Sequence, residues 1–245
     1  MAVLTVAPTE IYESGDSALR VVAISGTSDD NWLTVHRLAD WLEDCGAEGL
    51  RAAVPTYDSV LVEFDPVMVS AGQMRAFVRL GLGELARAAG STAAPREFDV
   101  PVVYGGEFGP DLEKVAEHQG ISTEDVIRLH TEKTYTIRCL GAPAGSPMMD
   151  GPAFPKPVPR LKDPRLSVPA GAVSVAGRQA VIAPAVAPGG WCVIGQTPLS
   201  VLNIRREPLV PYTPGDVLRF RRIGIEEFSL LAGQELQPLA REAQP

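Results

Sequence analysis

No stretch of the 245-residue sequence approaches the ~20 consecutive apolar residues that a membrane-crossing helix requires. The first residues, Met1 to Pro8, also lack the basic start of a secretory signal. These absences predict a cytoplasmic protein with no membrane partner. Cysteine is scarce: Cys45, Cys139 and Cys192 are odd in number, far apart and without Cys-x-x-Cys spacing, which argues against a disulfide framework or a zinc site and for reduced thiols. The three histidines, His36, His118 and His130, have no metal-ligand spacing, so no metal ligands are expected. A basic excess is missing too. The formal charge of -8 opposes binding to a phosphate backbone, and nucleic acid is not expected as a partner. Nor is there a Gly-x-x-x-x-Gly-Lys-Ser/Thr loop, a Gly-x-Ser-x-Gly elbow or a His-Glu-x-x-His helix, so any ATP is held outside a standard P-loop.

What is abundant is glycine and proline, concentrated from Arg160 to Pro198. Few helices survive that density, whereas short strands joined by sharp turns need it. A compact β-barrel or sandwich is the expectation there. Elsewhere, 45% hydrophobic and 21% charged residues are ordinary for a soluble chain large enough for one large domain or two small ones.

Along the chain, Ala18 to Ile24 reads as a strand, and Asp29, Asp30 and Asn31 offer capping oxygens to a helix with Leu38, Trp41, Leu42 and Cys45 on one stripe. Residues 49–54 and 59–64 read as two further strands. Ser70 with Gln73 forms a capping box for a helix buried through Met74, Phe77, Val78, Leu82 and Leu85. Strand, helix, strand, strand, helix predicts a small α+β domain over residues 1–93. A polar linker at 90–97 marks the boundary. Charge changes there as well, from seven Lys plus Arg against fourteen Asp plus Glu up to residue 97 to fifteen against sixteen beyond it. A mainly β domain is expected over 94–226, containing two short helices that begin near Asp111 and Ser122, followed by a tail at 227–245 that either packs as a short helix or frays. Residues 152–164 read as one long loop.

The segments Gly15-Asp-Ser-Ala-Leu19, Val100-Pro-Val-Val-Tyr-Gly-Gly-Glu-Phe-Gly-Pro-Asp-Leu112, Val168-Pro-Ala-Gly171, Pro188-Gly-Gly-Trp191 and Pro214-Gly-Asp-Val-Leu-Arg-Phe220 occur in one order. In that order they resemble the allophanate hydrolase subunit 1 family, which includes the B component of bacterial ATP-dependent 5-oxoprolinase and a sporulation kinase inhibitor. The resemblance implies a cyclophilin-like barrel for the second domain. It further implies a hetero-oligomeric amide or lactam hydrolase using ATP, with Mg, that turns 5-oxoproline into glutamate. The implied partners are a second cyclophilin-like protein resembling the C component of 5-oxoprolinase, a further hydrolase subunit, and a small anionic amide or lactam. A non-enzymatic kinase-inhibitor-like regulator and an allophanate or urea pathway subunit stay open as alternatives.

Six residues are candidates for the site. His130, in the last turn of its helix and matching a His-Thr pair of the family, either meets an anion or moves a proton, or is structural. Glu107, flanked by glycines, either faces a ligand as acid or base or hydrogen-bonds within its own turn. Asp111 serves the following helix. Arg160 and Arg165 lie in a loop with Lys156 and Lys162, opposed only by Asp163, and guanidinium groups bind carboxylates in a two-pronged geometry; the alternative is a solvated loop. Gln179 matches the family's glutamine, and Trp191 is either a pocket wall or core. The chain departs from the family pattern at Ala142, Ser146, Ala180, Cys192 and Gln196, which suggests a retained fold with a remodelled pocket.

Overall fold

In the computed structural model, residues 6–87 and 94–240 are described, and the chain divides into two compact units, Met1–Ala93 and Ala94–Pro245. In the first, β1 (Thr9–Glu13), β2 (Ala18–Ala23), β3 (Leu50–Pro55) and β4 (Ser59–Phe64) form an antiparallel sheet in the order β1-β2-β4-β3. Alternation along the strands sends Leu19, Val21, Val60, Val62 and Phe64 to one face, where α1 (Ser28–Asp44) and α2 (Ala71–Arg87) cover them with Val35, Leu38, Leu42, Met74, Val78 and Leu85. The strand β1 makes one edge of that sheet. Thr27 rather than an acid caps α1, in a reciprocal box with Asp30. His36 is buried on α1 with its Nε2 3.0 Å from the Thr56 carbonyl.

The second unit contains β5 (Glu97–Tyr104), α3 (Leu112–Gln119), α4 (Thr123–Thr131), β6 (Thr134–Gly141), β7 (Ser146–Asp150), β8 (Arg165–Val168), β9 (Ala172–Ala176), β10 (Gln179–Ile182), β11 (Ala187–Gly189), β12 (Cys192–Gln196), β13 (Val217–Arg222) and α5 (Ile225–Leu231). Seven of its strands close a barrel in the order β10-β7-β6-β13-β5-β12-β9. The chain is thus mixed α/β with a closed seven-stranded barrel. Val100, Val102, Ile137, Met149, Val175, Ile182, Ile194, Leu218 and Phe220 fill one core with Leu112, Val115, Val126 and Ile127 of the two helices, so the barrel is packed rather than hollow. The strand β13 runs parallel to β5, more than a hundred residues away in sequence. Outside the barrel, β8 and β11 make a two-stranded ribbon.

Residues 151–164 form a loop held on α3, where the Gln119 amide bonds both the N–H and the carbonyl of Lys156. The expected tail starts within α5 rather than after a domain. Beyond that helix Leu236 is buried in the barrel core, and the Leu239 N–H donates to the Glu97 carbonyl at 2.7 Å. No helix among the described residues is long and apolar enough to cross a membrane.

Candidate functional site

The strand β12 is the spine against which the segments carrying Glu107, Arg165 and Trp191 are held. The turn that follows β5 is pressed against it: Gly105 and Gly106 have φ of 73° and 54°, and a Cβ at Gly109 would stand 2.1 Å from the Ile194 carbonyl oxygen. Only glycine fits there. The turn leaves Glu107 exposed and packs Phe108 at a tilt against Phe228 of α5, with ring centroids 4.7 Å apart.

Next along β12, the Asp111 N–H donates to the Val193 carbonyl at 2.9 Å, and the Val193 N–H donates back to Asp111 Oδ2 at 2.8 Å. Arg165 completes the arrangement, with Nη1 2.7 Å from Oδ2 and Nη2 2.8 Å from Oδ1. The Asp111 side chain is only 6% exposed, so its charge is both paired and hydrogen-bonded, as burial demands. This corrects two expectations. Asp111 precedes α3 but makes no side-chain cap bond to it, and Arg165 spends both prongs of its guanidinium on Asp111 rather than presenting them to a substrate.

Arg160 is placed differently. Its guanidinium carbon lies 5.8 Å from the centre of the Trp191 ring, it is exposed, and it meets no carboxylate among the described residues. Trp191 is half-buried rather than core. Two tethers hold the shelf: the Leu161 N–H donates to the Gly190 carbonyl at 2.7 Å, and the Cys192 thiol lies 3.5 Å from the Pro159 carbonyl. A guanidinium open to solvent and unpaired keeps its donors available to a small carboxylate.

His130 lies apart from this shelf. It is fully buried in the last turn of α4, with Nδ1 2.7 Å from the Tyr104 hydroxyl, its carbonyl accepting from the Tyr135 hydroxyl at 2.8 Å, and the Phe220 ring 4.5 Å away. Burial, with a smaller push from the Lys133 charge, drives its pKa down to about 3. The imidazole is neutral and sealed, so it meets no anion from solvent; this departs from the expected catalytic placement. Its Nε2 has no hydrogen-bond partner among the described residues. The Tyr104 hydroxyl is raised well above its ordinary pKa, mainly by burial. Gln179 opens β10, which borders β7 and β9 and not β12, and it makes no hydrogen bond to Arg160 or Trp191 among the described residues. Of the departures from the family pattern, Ser146, Ala180 and Cys192 are buried, with the Ser146 hydroxyl donating to the Ile182 carbonyl at 3.1 Å. Those three changes lie in the packing, and of them Cys192 tethers the shelf through the Pro159 carbonyl.

Sequence reasoning misses the part Asp111 plays. Its position before a helix matches a capping signal, and nothing local indicates that Val193 and Arg165 arrive on its other side. Tyr104 is missed as well; a tyrosine at the end of an apolar strand before two glycines is the available signal.

The carboxyltransferase domain family, subdomains C and D, matches residues 9–212. The chain belongs to that family. Among its carboxyltransferase-domain relatives, the B component of 5-oxoprolinase from Bacillus subtilis (strain 168) is 33% identical over 229 residues, 89% of this chain and 95% of that one. The solved structure of TTHA0988 is 31% identical with a TM-score of 0.71, over 84% of this chain but only 40% of the TTHA0988 chain. The Kluyveromyces lactis urea carboxylase shares the fold at a TM-score of 0.75 and 16% identity, over 94% of this chain and 24% of that one. The chain therefore spans less than half the length of either of these two solved relatives.

Proposed function

We propose that this chain is a subunit of an ATP-dependent hydrolase complex that opens a small anionic lactam or amide, with 5-oxoproline as the substrate and glutamate as the product. The observation that carries the reading is the end-to-end likeness to the B component of a 5-oxoprolinase, over 95% of that protein. On this reading the barrel is cyclophilin-like. Arg160 over Trp191 receives the substrate carboxylate, and Glu107, exposed on its glycine-bounded turn, serves as acid or base. The Asp111–Arg165 pair holds the two loops that carry them.

The shelf is open, and in TTHA0988 the equivalent fold is 40% of a longer chain; both support a site completed by a second cyclophilin-like protein, the counterpart of the C component of 5-oxoprolinase. ATP is a poor fit to this chain's own residues. Arg160 and Lys162 with the backbone-tied Lys156 are few cations for a triphosphate, and no glycine-rich phosphate loop accompanies them. Nucleotide is therefore assigned to the complex and to no residue of this chain.

The test is co-expression with that cyclophilin-like partner, purification of the complex, and measurement of ADP release with and without 5-oxoproline and related lactams. Lactam-stimulated release that needs both chains is the expected result. A stable complex whose ATP turnover no lactam or amide stimulates counts against the reading.

A further inference from the structure

The ribbon β8–β11 carries the most exposed large apolar side chain among the described residues of the barrel unit. Leu166 is 92% exposed, and Val186, just before β11, is 65% exposed. The ribbon is not loose: Val168 packs with Ala172 and Val193 in a small buried cluster, and Arg165 is locked to Asp111. Its outer residues are thus held out by a fixed scaffold. Single exposed apolar residues are common on any protein. What distinguishes these is their company, because Lys162 is exposed without a carboxylate partner among the described residues, and the Arg160–Trp191 shelf adjoins the ribbon through Gly190 and Pro164. Tryptophan and arginine on a rigid element are enriched at interface centres, and the exposed aliphatic groups beside them add apolar area to cover.

We infer that the outer side of the β8–β11 ribbon, Leu166 and Val186 with Lys162 at its rim, is the docking surface for an acidic segment of the cyclophilin-like partner whose apolar side chains cover Leu166. This rests on the proposed role in a hydrolase complex. Charge selects the occupant. The chain as a whole carries -8, yet within residues 156–165 Lys156, Arg160 and Lys162 stand against the single Asp163, Arg165 being neutralised by Asp111. A second copy related by a two-fold axis would bring Lys162 and Arg160 of each ribbon against those of the other, which like-charge repulsion disfavours. A partner segment bearing Asp or Glu beside apolar residues satisfies both features at once, and its arrival beside Trp191 excludes water from the shelf that receives the substrate.

The probe is the cyclophilin-like partner protein, titrated against the full chain at low and high salt. Leu166→Asp and Lys162→Glu are on exposed positions, so both variants should melt as the parent does. Leu166→Asp should weaken association about tenfold or more, and Lys162→Glu should weaken it with a flatter salt dependence. Val67→Asp, at a position 93% exposed in the other unit, should leave association unchanged. A folded Leu166→Asp, Val186→Asp double variant that binds as tightly as the parent overturns the docking surface while leaving the hydrolase-complex reading intact. If the parent chain itself fails to bind the probe, that reading falls and the docking surface with it. A parent dimer that Leu166→Asp dissociates makes a second copy the occupant and likewise overturns the proposal.

Discussion

Replacing Arg165 with alanine strands the Asp111 carboxylate, which is 6% exposed and would keep only the Val193 N–H. Removing one partner of a buried pair costs about 3 kcal/mol, so the urea midpoint should fall clearly. Arg160→Ala should behave in the opposite way, since the exposed stack on Trp191 is worth only ~0.5–1 kcal/mol. In the reconstituted complex, at saturating partner, it should raise KM for the anionic lactam about tenfold with kcat little changed, as loss of a charged hydrogen bond to bound substrate would. Two arginines five residues apart are indistinguishable by composition; only the position of Asp111 separates them. His130 repeats the lesson. A helix C-terminus favours the imidazolium by ~0.3–2 kcal/mol, but burial of a charge shifts a pKa by up to ~3–5 units, and burial wins. The folded chain refuses a proton that the unfolded chain takes up near ~6.5. Stability is therefore complete above that pH and declines by ~1.4 kcal/mol per unit as pH falls from there toward the folded value of about 3. Among the groups facing the ring, Tyr104, Tyr135 and Phe220 are uncharged and Lys133 is the neighbouring cation. Asp216 is desolvated yet held below its ordinary range by Arg96 and the Thr213 and Arg96 N–H groups, and its own loss begins only below ~4. Denaturant titrations at pH 6 and 4.5 should therefore show a decline that His130→Phe largely removes.

Two glycines of α2 have opposite expected responses to the same substitution. A Cβ at Gly81 would stand 2.5 Å from Trp41 Cε3 and 3.1 Å from Leu38 Cδ1 on α1, whereas at Gly83 the nearest atom is Arg87 Nη1 at 4.0 Å. Gly81→Ala should destabilise by ~1–3 kcal/mol through overpacking despite the gain in helix propensity, and Gly83→Ala should stabilise by ~0.5–1 kcal/mol. Thermal melts of the two variants should shift in opposite directions; equal shifts would mean that α1 and α2 do not approach at Gly81. Periodicity identifies the buried stripe of α2, because a stripe is a property of one helix. It cannot name Gly81, which matters only through Trp41 of another helix. The capping box of Ser70 and Gln73 is legible for the same local reason, with the Ser70 N–H donating to Gln73 Oε1 at 3.0 Å. The parallel pairing of β5 with β13 is not, since each strand's own alternation is the same whichever neighbour it takes. Gln179 escapes sequence reasoning for that reason too: its turn-rich surroundings indicate a short strand, but only the barrel order assigns it to one that does not border β12.

Each buried cluster of the molecule lies within a single unit: Leu19, Leu38, Phe64 and Met74 in the first, and Phe98, Ile137, Met149 and Phe220 in the second. Closure of the barrel also removes the open sheet edges that usually make an isolated β domain aggregate. Residues 94–245 should therefore fold alone. The tryptophans make this measurable, because Trp32 and Trp41 fall in the first unit and Trp191 in the second. In urea, Trp191 emission from the 94–245 fragment should follow one cooperative transition, with the same midpoint as Trp191 in the full chain carrying Trp32→Phe and Trp41→Phe. The fragment includes the β8–β11 ribbon and the Arg160–Trp191 shelf, so it should also bind the cyclophilin-like partner as the full chain does. A fragment that unfolds without cooperativity would show that the barrel core is not self-sufficient. A fragment that folds but loses the partner would place part of the docking surface on residues 1–93, and the ribbon would then be one contact among several rather than the deciding one.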